Sequence, residues 1–299
     1  MSERDFLAQR FEEHRSHLRA VAYRMLGSLN EADDAVQETW LKLSRSDVSE
    51  VRNLGGWLTT VAGRVCLDML RSRGSRREEP LYDQEDGPIR LPDPVVSGPG
   101  GVDPEQEVLV ADSVGIALMI VLQTLSPAER LAFVLHDLFA VPFDEIAPVL
   151  GRTSASTRQL ASRARRRVEG AAPAADTDIA HRREVVDAFL TAARGGDFDA
   201  LLAVLDPDVV ARSDGGTLRP SLLRRGAENV ASQAITFARI AEAGYAALVN
   251  GSPGVVSVAE GRVASVMAFT IRGGRITALD ILTDPERLAR LDLGSVLGG

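Results

Sequence analysis

The chain has 299 residues, of which 45% are apolar, and its formal net charge is −8. This length favours two or more domains, and the apolar content is sufficient for a hydrophobic core in each. No stretch reaches the ~18 consecutive apolar residues of a membrane-spanning helix, and the charged amino terminus is unlike an export signal. We therefore expect a soluble, cytoplasmic protein with no membrane partner. A single cysteine, Cys66, and four scattered histidines predict no disulfide, no metal site and no cofactor.

Residues 1–73 predict three helices, each with its own boundary signal. Gly27 suits a left-handed cap at the end of the first helix. Asn30 with Asp33 suggests a capping-box variant at the start of the second. Asn53 is placed to cap the third helix. Apolar residues recur at helical spacing in all three, so this segment should form an all-α bundle.

Two of these helices carry polar faces that suggest binding surfaces. An acidic face on the second helix suits docking on a basic protein partner, although acids near a helix start also stabilise the helix dipole. Its members are Asp33, Asp34, Gln37 and Glu38. Charged residues on the third helix lie off the apolar stripe and suit contacts to nucleic-acid phosphates. These are Arg64, Asp68, Arg71 and Arg73.

Residues 74–106 contain six prolines and no apolar period, which predicts a linker. Helices resume over 107–170, where Ser126 and Glu129 form a capping box. Gly151 provides the tight turn of a helix-turn-helix, and Thr153 or Ser154 caps its second helix.

The second helix of this motif is strongly basic, because residues 152–167 hold six arginines and no acid. Its predicted outer face suits the DNA major groove, where guanidinium groups contact phosphates and guanine edges. That face consists of Arg158, Gln159, Ser162, Arg163 and Arg166. A solvated basic helix in an ordinary helical hairpin is the alternative interpretation.

Residues 177–292 predict an α+β domain with an antiparallel sheet. The first helix ends at Gly195-Gly196, and a second short helix ends at Asp206-Pro207. The predicted strands are 209–213, 245–250, 255–259, 263–271 and 276–283. Gly273-Gly274 joins the last two as a hairpin turn.

The sequence resembles a known family over nearly its whole length. The stretch NEADDAVQETWLKL resembles the polymerase-binding segment of region two in bacterial extracytoplasmic-function (ECF) sigma factors. GGWLTTVAGRVCLDMLRSR resembles the helix there that reads the minus-ten promoter element. The stretch from Leu125 to Val168 resembles region four, which binds the minus-35 element, and residues 177–292 are similar to SnoaL-like, NTF2-type domains.

The resemblance implies a multidomain protein with two all-α sigma domains: a region-two three-helix bundle and a region-four helix-turn-helix. An α+β NTF2-like domain follows. The resemblance implies that the protein binds the β′ and β subunits of core RNA polymerase and promoter DNA. Three short stretches resemble motifs of the subclass with this C-terminal domain and imply regulatory contacts that bring the domain against the sigma core. The residues concerned are Pro92, Pro94, Asp214, Gly215, Gly216, Asp284 and Pro285.

The role of the C-terminal domain is open at this point. Asp206, Asp208, Asp214 and Asp280 are the carboxylates near its strand ends, and Tyr245 is its single tyrosine. An isomerase-like site would need one of them as a base opposite an oxyanion donor. Two functions follow: a sigma factor regulated in cis by its own domain, without enzymatic activity, or a helix-turn-helix protein fused to a ligand-binding or ligand-processing domain. The polymerase-binding segment favours the first.

Overall fold

The computed structural model describes residues 3–48, 51–76, 89–101, 109, 115–171, 178–218, 220–241 and 243–298. The chain forms two compact units. The first comprises Met1–Glu79, Glu107–Asp112 and Leu118–Pro173, and the second comprises Pro80–Gln106, Ser113–Ala117 and Ala174–Gly299. Much of the predicted linker, residues 77–88 and 102–106, lies outside the described residues. Within the described ranges, no helix is both long enough and apolar enough to cross a membrane.

The first unit is helical. Its helices are α1 (Glu3–Leu26), α2 (Leu29–Leu43), α3 (Leu54–Arg76), α4 (Ile116–Thr124, which begins in the second unit), α5 (Pro127–Phe133), a π-helical turn (Val134–Leu138), α6 (Phe143–Leu150) and α7 (Ser154–Ala171). Helices α1 to α3 form the expected bundle around Phe11, Leu18, Val36 and Leu58.

Most predicted helix boundaries are confirmed. Gly27 is left-handed, with φ of 72°, and Asn53 Oδ1 accepts a bond from the Gly56 amide at 3.0 Å. Ser126 and Glu129 form the capping box. The predicted start of α2 is wrong: the N-cap is Ser28, without a side-chain bond. Asp33 fails as a cap because its carboxylate instead accepts from Arg19 Nε at 2.7 Å.

The helix-turn-helix is α6, Gly151 and α7. Gly151 takes the predicted left-handed conformation, with φ of 63°, and its neighbour Arg152 donates its amide to Ala147 O at 3.0 Å. Thr153, rather than Ser154, is the N-cap of α7, because its hydroxyl accepts from the Ser156 amide at 3.2 Å. The inward residues of α7 are buried as expected: Thr157, Leu160, Ala161 and Ala164.

The helix-turn-helix segment packs directly against the three-helix bundle. Arg130 of α5 is 5% exposed, and its guanidinium donates to Met25 O and to Gln123 O, both at 2.9 Å. A Cβ on Gly63 of α3 would come within 3.0 Å of the Leu131 and Leu135 side chains, so the helices approach closely there. The bundle and the helix-turn-helix therefore share one packed interior.

The second unit is an α+β domain with a seven-stranded sheet of order β1-β4-β5-β6-β7-β2-β3. Its elements are β1 (Val96–Ser97), α8 (Ile179–Gly195), α9 (Phe198–Val204), β2 (Leu205–Asp214), β3 (Leu222–Arg225), α10 (Ala227–Ala238), β4 (Ala243–Val249), β5 (Ser252–Ala259), β6 (Arg262–Arg272), β7 (Arg275–Leu282), α11 (Pro285–Leu288) and α12 (Gly294–Leu297). The five predicted strands are present, and Gly273 and Gly274 both have positive φ in the β6–β7 turn.

Some features of this domain differ from the sequence-based expectation. The sheet is not wholly antiparallel, because β2 pairs with β7 in parallel. Helices α8 and α10 cover one face of the sheet around Phe189, Val230 and Phe269. The short strands β1 and β3 and helix α10 were not predicted. Strand β1 lies within the predicted linker and pairs antiparallel with β4, so the described linker residues 89–101 belong to this domain.

Candidate functional site

The predicted acidic face on α2 is largely exposed. Asp34, Gln37 and Glu38 all face solvent, while Ala32, Val36 and Thr39 are buried on the opposite side. Glu38 is 3.4 Å from Lys42 Nζ along the same helix, a solvent-exposed pair of little energetic weight. Asp33 differs from the other three because it is half-buried against Arg19. The surface open to a partner is therefore Asp34, Gln37 and Glu38.

The predicted charged face on α3 divides in the same way. Arg64, Asp68 and Arg71 are exposed, and Arg71 lies 3.9 Å from Asp68. Arg73 is only 22% exposed and forms an ion pair with Glu31 of α2. Its charge is thus partly neutralised within the bundle, whereas Arg64 and Arg71 are available to phosphate groups.

On α7, all five predicted DNA-facing residues are exposed: Arg158, Gln159, Ser162, Arg163 and Arg166. Their surroundings differ. Glu129 of α5 lies 3.5 Å from Arg163 and 3.4 Å from Arg167, and Asp137 pairs with Arg165. Arg158 lies over the Phe143 ring at 5.4 Å. Among the described residues, Arg158 and Arg166 have no ion-pair partner, so they present the least compensated charge on this helix.

The half-buried His17 and the fully buried Cys66 of the first unit both have a shifted pKa. His17 Nε2 is 3.1 Å from Thr59 Oγ1, and the Thr59 hydroxyl donates to Gly55 O, so His17 acts as the donor. Burial lowers the pKa of His17, and the neighbouring His14 and Arg24 lower it further. Burial raises the pKa of the Cys66 thiol to about 12, which makes this cysteine an unreactive core residue.

In the second unit, the three predicted regulatory stretches meet around one arginine. Arg287 of α11 donates from Nε to Asp93 at 2.7 Å, from Nη1 to Asp214 at 2.6 Å and from Nη2 to Leu91 O at 2.7 Å. Asp214 also accepts from the Leu91 amide at 2.8 Å. We call Leu91, Asp93, Asp214 and Arg287 the linker clamp. It fixes the linker to the domain with charge-assisted hydrogen bonds that are almost wholly buried.

The remaining motif residues shape this clamp. Asp214 accepts from the Gly216 amide at 3.0 Å, which turns the chain after β2. Gly216 has φ of 67°, and a Cβ there would lie 2.2 Å from the Asp284 carboxylate. Asp284 caps α11 through the Glu286 and Arg287 amides. Pro285 is the first residue of that helix, while Pro92, Pro94 and Gly215 are buried.

Three of the four candidate carboxylates of this domain have structural partners, and the fourth, Asp208, is exposed. Asp206 accepts from the Asp208 amide at 2.9 Å, which makes a turn, and Asp214 belongs to the clamp. Asp280 is buried beside Arg212, at 2.9 Å. Burial raises the pKa of Asp280, and the Arg212 charge opposes that rise. Tyr245 is exposed on β4. The structure therefore brings none of these acids opposite Tyr245 in the manner of a base and an oxyanion donor.

The sequence-based prediction did not include two residues that hold the linker on the C-terminal domain, Arg287 and Asn250. Arg287 lies inside a stretch that was noted, but nothing in one sequence marks it as the partner of Asp93 and Asp214. Asn250 is fully buried; its side chain accepts from the Val95 amide at 3.1 Å and its own amide donates to Val95 O at 2.7 Å. Its positive φ of 49° is typical of asparagine in a turn, and that local preference is the signal available from sequence.

Comparison with known proteins identifies both helical segments. The sigma-70 region 2 family matches residues 10–76 and the sigma-70 region 4 family matches residues 116–168. A probable ECF RNA polymerase sigma factor, SigI of Mycobacterium tuberculosis, is 37% identical over 98% of this chain and 99% of its own length. The ECF sigma factor SigJ of the same organism is 38% identical over 93% of this chain and 91% of its own length.

A solved structure agrees with these relatives over both units. The crystal structure of the Mycobacterium tuberculosis ECF sigma factor SigJ superposes with a TM-score of 0.75 at 35% identity. The superposition covers 96% of this chain and 99% of that one, and therefore includes the C-terminal domain.

Proposed function

Because the chain belongs to the ECF RNA polymerase sigma factors, we propose that its α2 face binds core polymerase and that its α3 and α7 faces bind the promoter. The family binds core RNA polymerase and promoter DNA. The observation that carries the assignment of surfaces is the segregation of exposed charge within the first unit. Acids are exposed on α2, whereas Arg158 and Arg166, which have no ion-pair partner among the described residues, are exposed on α7. An acidic surface suits a basic polymerase element, and a basic helix suits the major groove.

We propose the β′ subunit as the partner of α2 and the β subunit as a further contact. We also propose a cytoplasmic location, because the polymerase works there. The protein is proposed to have no enzymatic activity. In support, Asp206 and Asp214 are held in a turn and in the linker clamp, and Asp280 is paired with Arg212.

Both promoter-facing surfaces lie in one compact unit, and this has a consequence for activation. The minus-35 and minus-ten positions are about 25 base pairs apart, or ~85 Å of duplex. A compact unit of this size has a radius of gyration of only about 14 Å. We therefore propose that α3 and α7 separate on the polymerase. The Arg130 bond to Met25 O, which joins α5 to the three-helix bundle, belongs to the closed form.

The linker clamp limits how far these surfaces can separate. The linker joins α3 to α4. Each linker residue that is held on the C-terminal domain therefore shortens the distance that can separate the two sigma regions. Residues 89–101 would span up to ~40 Å if extended. We propose that the C-terminal domain regulates the sigma factor in cis by holding or releasing this segment.

Binding measurements test the proposed surfaces. The free protein, with net charge −8, should bind duplex promoter DNA weakly, and the assembly with core polymerase should bind it tightly with strong dependence on salt. Fluorescence anisotropy of labelled promoter DNA, with and without core enzyme, distinguishes the two. Tight, salt-insensitive and sequence-specific binding by the free protein would instead indicate an ordinary repressor.

A further inference from the structure

The sheet of the C-terminal domain has a second face that the linker covers. Residues alternate along β6 and β7, so Phe269 and Leu279 pack with helices α8 and α10. Ala268 and Asp280 are register partners on adjacent strands and point to the opposite face. Leu91, Pro92 and Pro94 of the linker lie against that opposite face. The linker segment thus lies on this face of the sheet in the manner of a bound peptide, beside Ile116 of α4.

A small cavity remains between the linker and the sheet. Its volume is about 10 Å³, and Asp280 is the one ionisable residue among those that line it. The other lining residues are apolar, including Ala268 and Leu282 on the sheet side. A volume of this size admits no more than about one water molecule, which would need two or more polar partners to be well held.

Asp280 leaves one buried oxygen unsatisfied at this cavity. The residue is 3% exposed, and its Oδ1 accepts from Arg212 Nη1 at 2.9 Å. Among the described residues, none donates a hydrogen bond to Oδ2. A buried acceptor without a partner is costly, and such exceptions in native proteins call for a specific explanation.

We propose that this face is a binding site for a small, mainly apolar molecule that carries a hydrogen-bond donor, and that this molecule competes with the linker. The donor bonds to Asp280 Oδ2, and the apolar body takes the space that Leu91, Pro92 and Pro94 fill when the linker is docked. Since the docked state leaves room for about one water molecule, ligand and docked linker exclude each other. Because the ligand binds only when the linker is released, it shifts the equilibrium from the docked to the released linker.

The site is independent of the proposed role in transcription, because binding alone tests it. The probes are cyclohexanol, which has a donor, and cyclohexanone, which has a similar ring and only an acceptor. Binding to the full-length protein is measured by titration with NMR detection. Hydrogen exchange at the Leu91 and Val95 amides, both hydrogen-bonded to the domain, reports linker docking in the same samples.

Cyclohexanol should bind and should raise the exchange rate of both amides, whereas cyclohexanone should do neither. Replacing Arg287 with Ala, or Asp93 with Asn, removes clamp bonds and should tighten cyclohexanol binding on the order of tenfold, because more of the protein is then competent to bind. Ala268→Leu fills the cavity and should abolish binding. Ala246→Leu, at an exposed position of β4, which β5 separates from β6, is the matched control and should bind as the unchanged protein does.

Three results would overturn the proposal. The first is the absence of cyclohexanol binding in both the unchanged protein and the clamp variants. The second is equal affinity before and after clamp substitution, which would show that the linker does not compete. The third is equal binding of both probes, which would remove Asp280 as the recognition group. Unchanged exchange across β6 and β7 confirms that each variant is folded.

Discussion

Gly216 shows how one residue constrains the linker clamp. It combines a left-handed backbone with a Cβ position only 2.2 Å from Asp284. Gly261 has the same φ of 67°, but nothing lies within 4 Å of its Cβ position. A substitution at either position therefore strains the backbone. Only at position 216 would the added side chain also collide with Asp284, the N-cap of α11.

Gly216→Ala should destabilise the C-terminal domain more than Gly261→Ala does. The backbone strain costs about 1–3 kcal/mol in each variant, and the displacement of Asp284 adds to it only at Gly216. The free energy of unfolding of the second unit is measured in each variant by urea denaturation, with hydrogen exchange as the readout. Equal losses in the free energy of unfolding would mean that Asp284 moves aside without cost.

His17 should make the stability of the first unit depend on pH. Its folded-state pKa lies below the ordinary value of 6.5, so the unfolded chain binds a proton more readily. The stabilisation is complete above pH 6.5 and is lost as the pH falls below it. Unfolding of the full protein between about pH 5 and 7 should show a positive slope that His17→Gln reduces. An unchanged slope in that variant would assign the effect to other groups.

Local signals in the sequence predicted several of these residues, whereas partners that are distant along the chain could not be predicted. Gly27, Asn53 and Ser126 were placed correctly because a cap depends on its own few neighbours. Arg287 was missed because its partners, Asp93 and Asp214, lie 194 and 73 residues away. No periodicity or spacing in a single chain encodes such a pairing.

At the scale of elements, the structure separates arginines on α7 that are equivalent in sequence. Arg163, Arg165 and Arg167 have carboxylate neighbours on α5 or the π-helical turn, whereas Arg158 contacts an aromatic ring. Exposure alone therefore overstates the charge that this helix offers to DNA. Arg152 adds an exposed basic group at the turn that the sequence-based set did not include.

Arg158→Ala should weaken promoter binding by the assembled polymerase by about 1–3 kcal/mol at one base position and relax the preference there. The physical reason is the loss of a bidentate contact to a guanine edge. Binding to a library with a randomised minus-35 element measures it, and Arg165→Ala is the control. A uniform loss across all sequences would show that Arg158 contacts only phosphate.

Reversing the charge of α2 should block assembly with polymerase. Asp34→Arg with Glu38→Arg changes an exposed face and leaves the buried Val36 side untouched, so helical content should be retained. Co-purification with core enzyme measures the effect. Glu12→Arg with Glu13→Arg introduces the same change in charge on exposed positions of α1 and should assemble normally. Normal assembly of the α2 variant would place the polymerase contact elsewhere.

The sheet shows what element patterns can predict. Alternation and a two-glycine turn located β6 and β7 correctly, because both signals are local. The parallel pairing of β2 with β7 was not predicted, since α10 and four other strands separate these two strands along the chain. Strand β1 was not predicted because a strand of two residues is too short to show an alternation of apolar and polar residues.

At the scale of the whole molecule, the proposed regulation connects the C-terminal domain to promoter spacing through the linker. The clamp buries Arg287 between two carboxylates, and removal of one partner of such a pair is costly, about 3–5 kcal/mol. Arg287→Ala should therefore release residues 89–101 and lengthen the reach between the two sigma regions. Arg290 is exposed three residues later on the chain and provides a matched control.

Regulation through the linker clamp is tested by transcription with core RNA polymerase and three proteins: the full-length protein, Arg290→Ala and Arg287→Ala. The template is a promoter library with randomised minus-35 and minus-ten elements, and the transcripts are counted and sequenced. We expect promoter-dependent RNA from all three, equal output from the first two, and roughly fivefold more from Arg287→Ala. Equal output from all three would contradict regulation through the linker clamp, and the absence of promoter-dependent RNA would contradict the sigma-factor function itself.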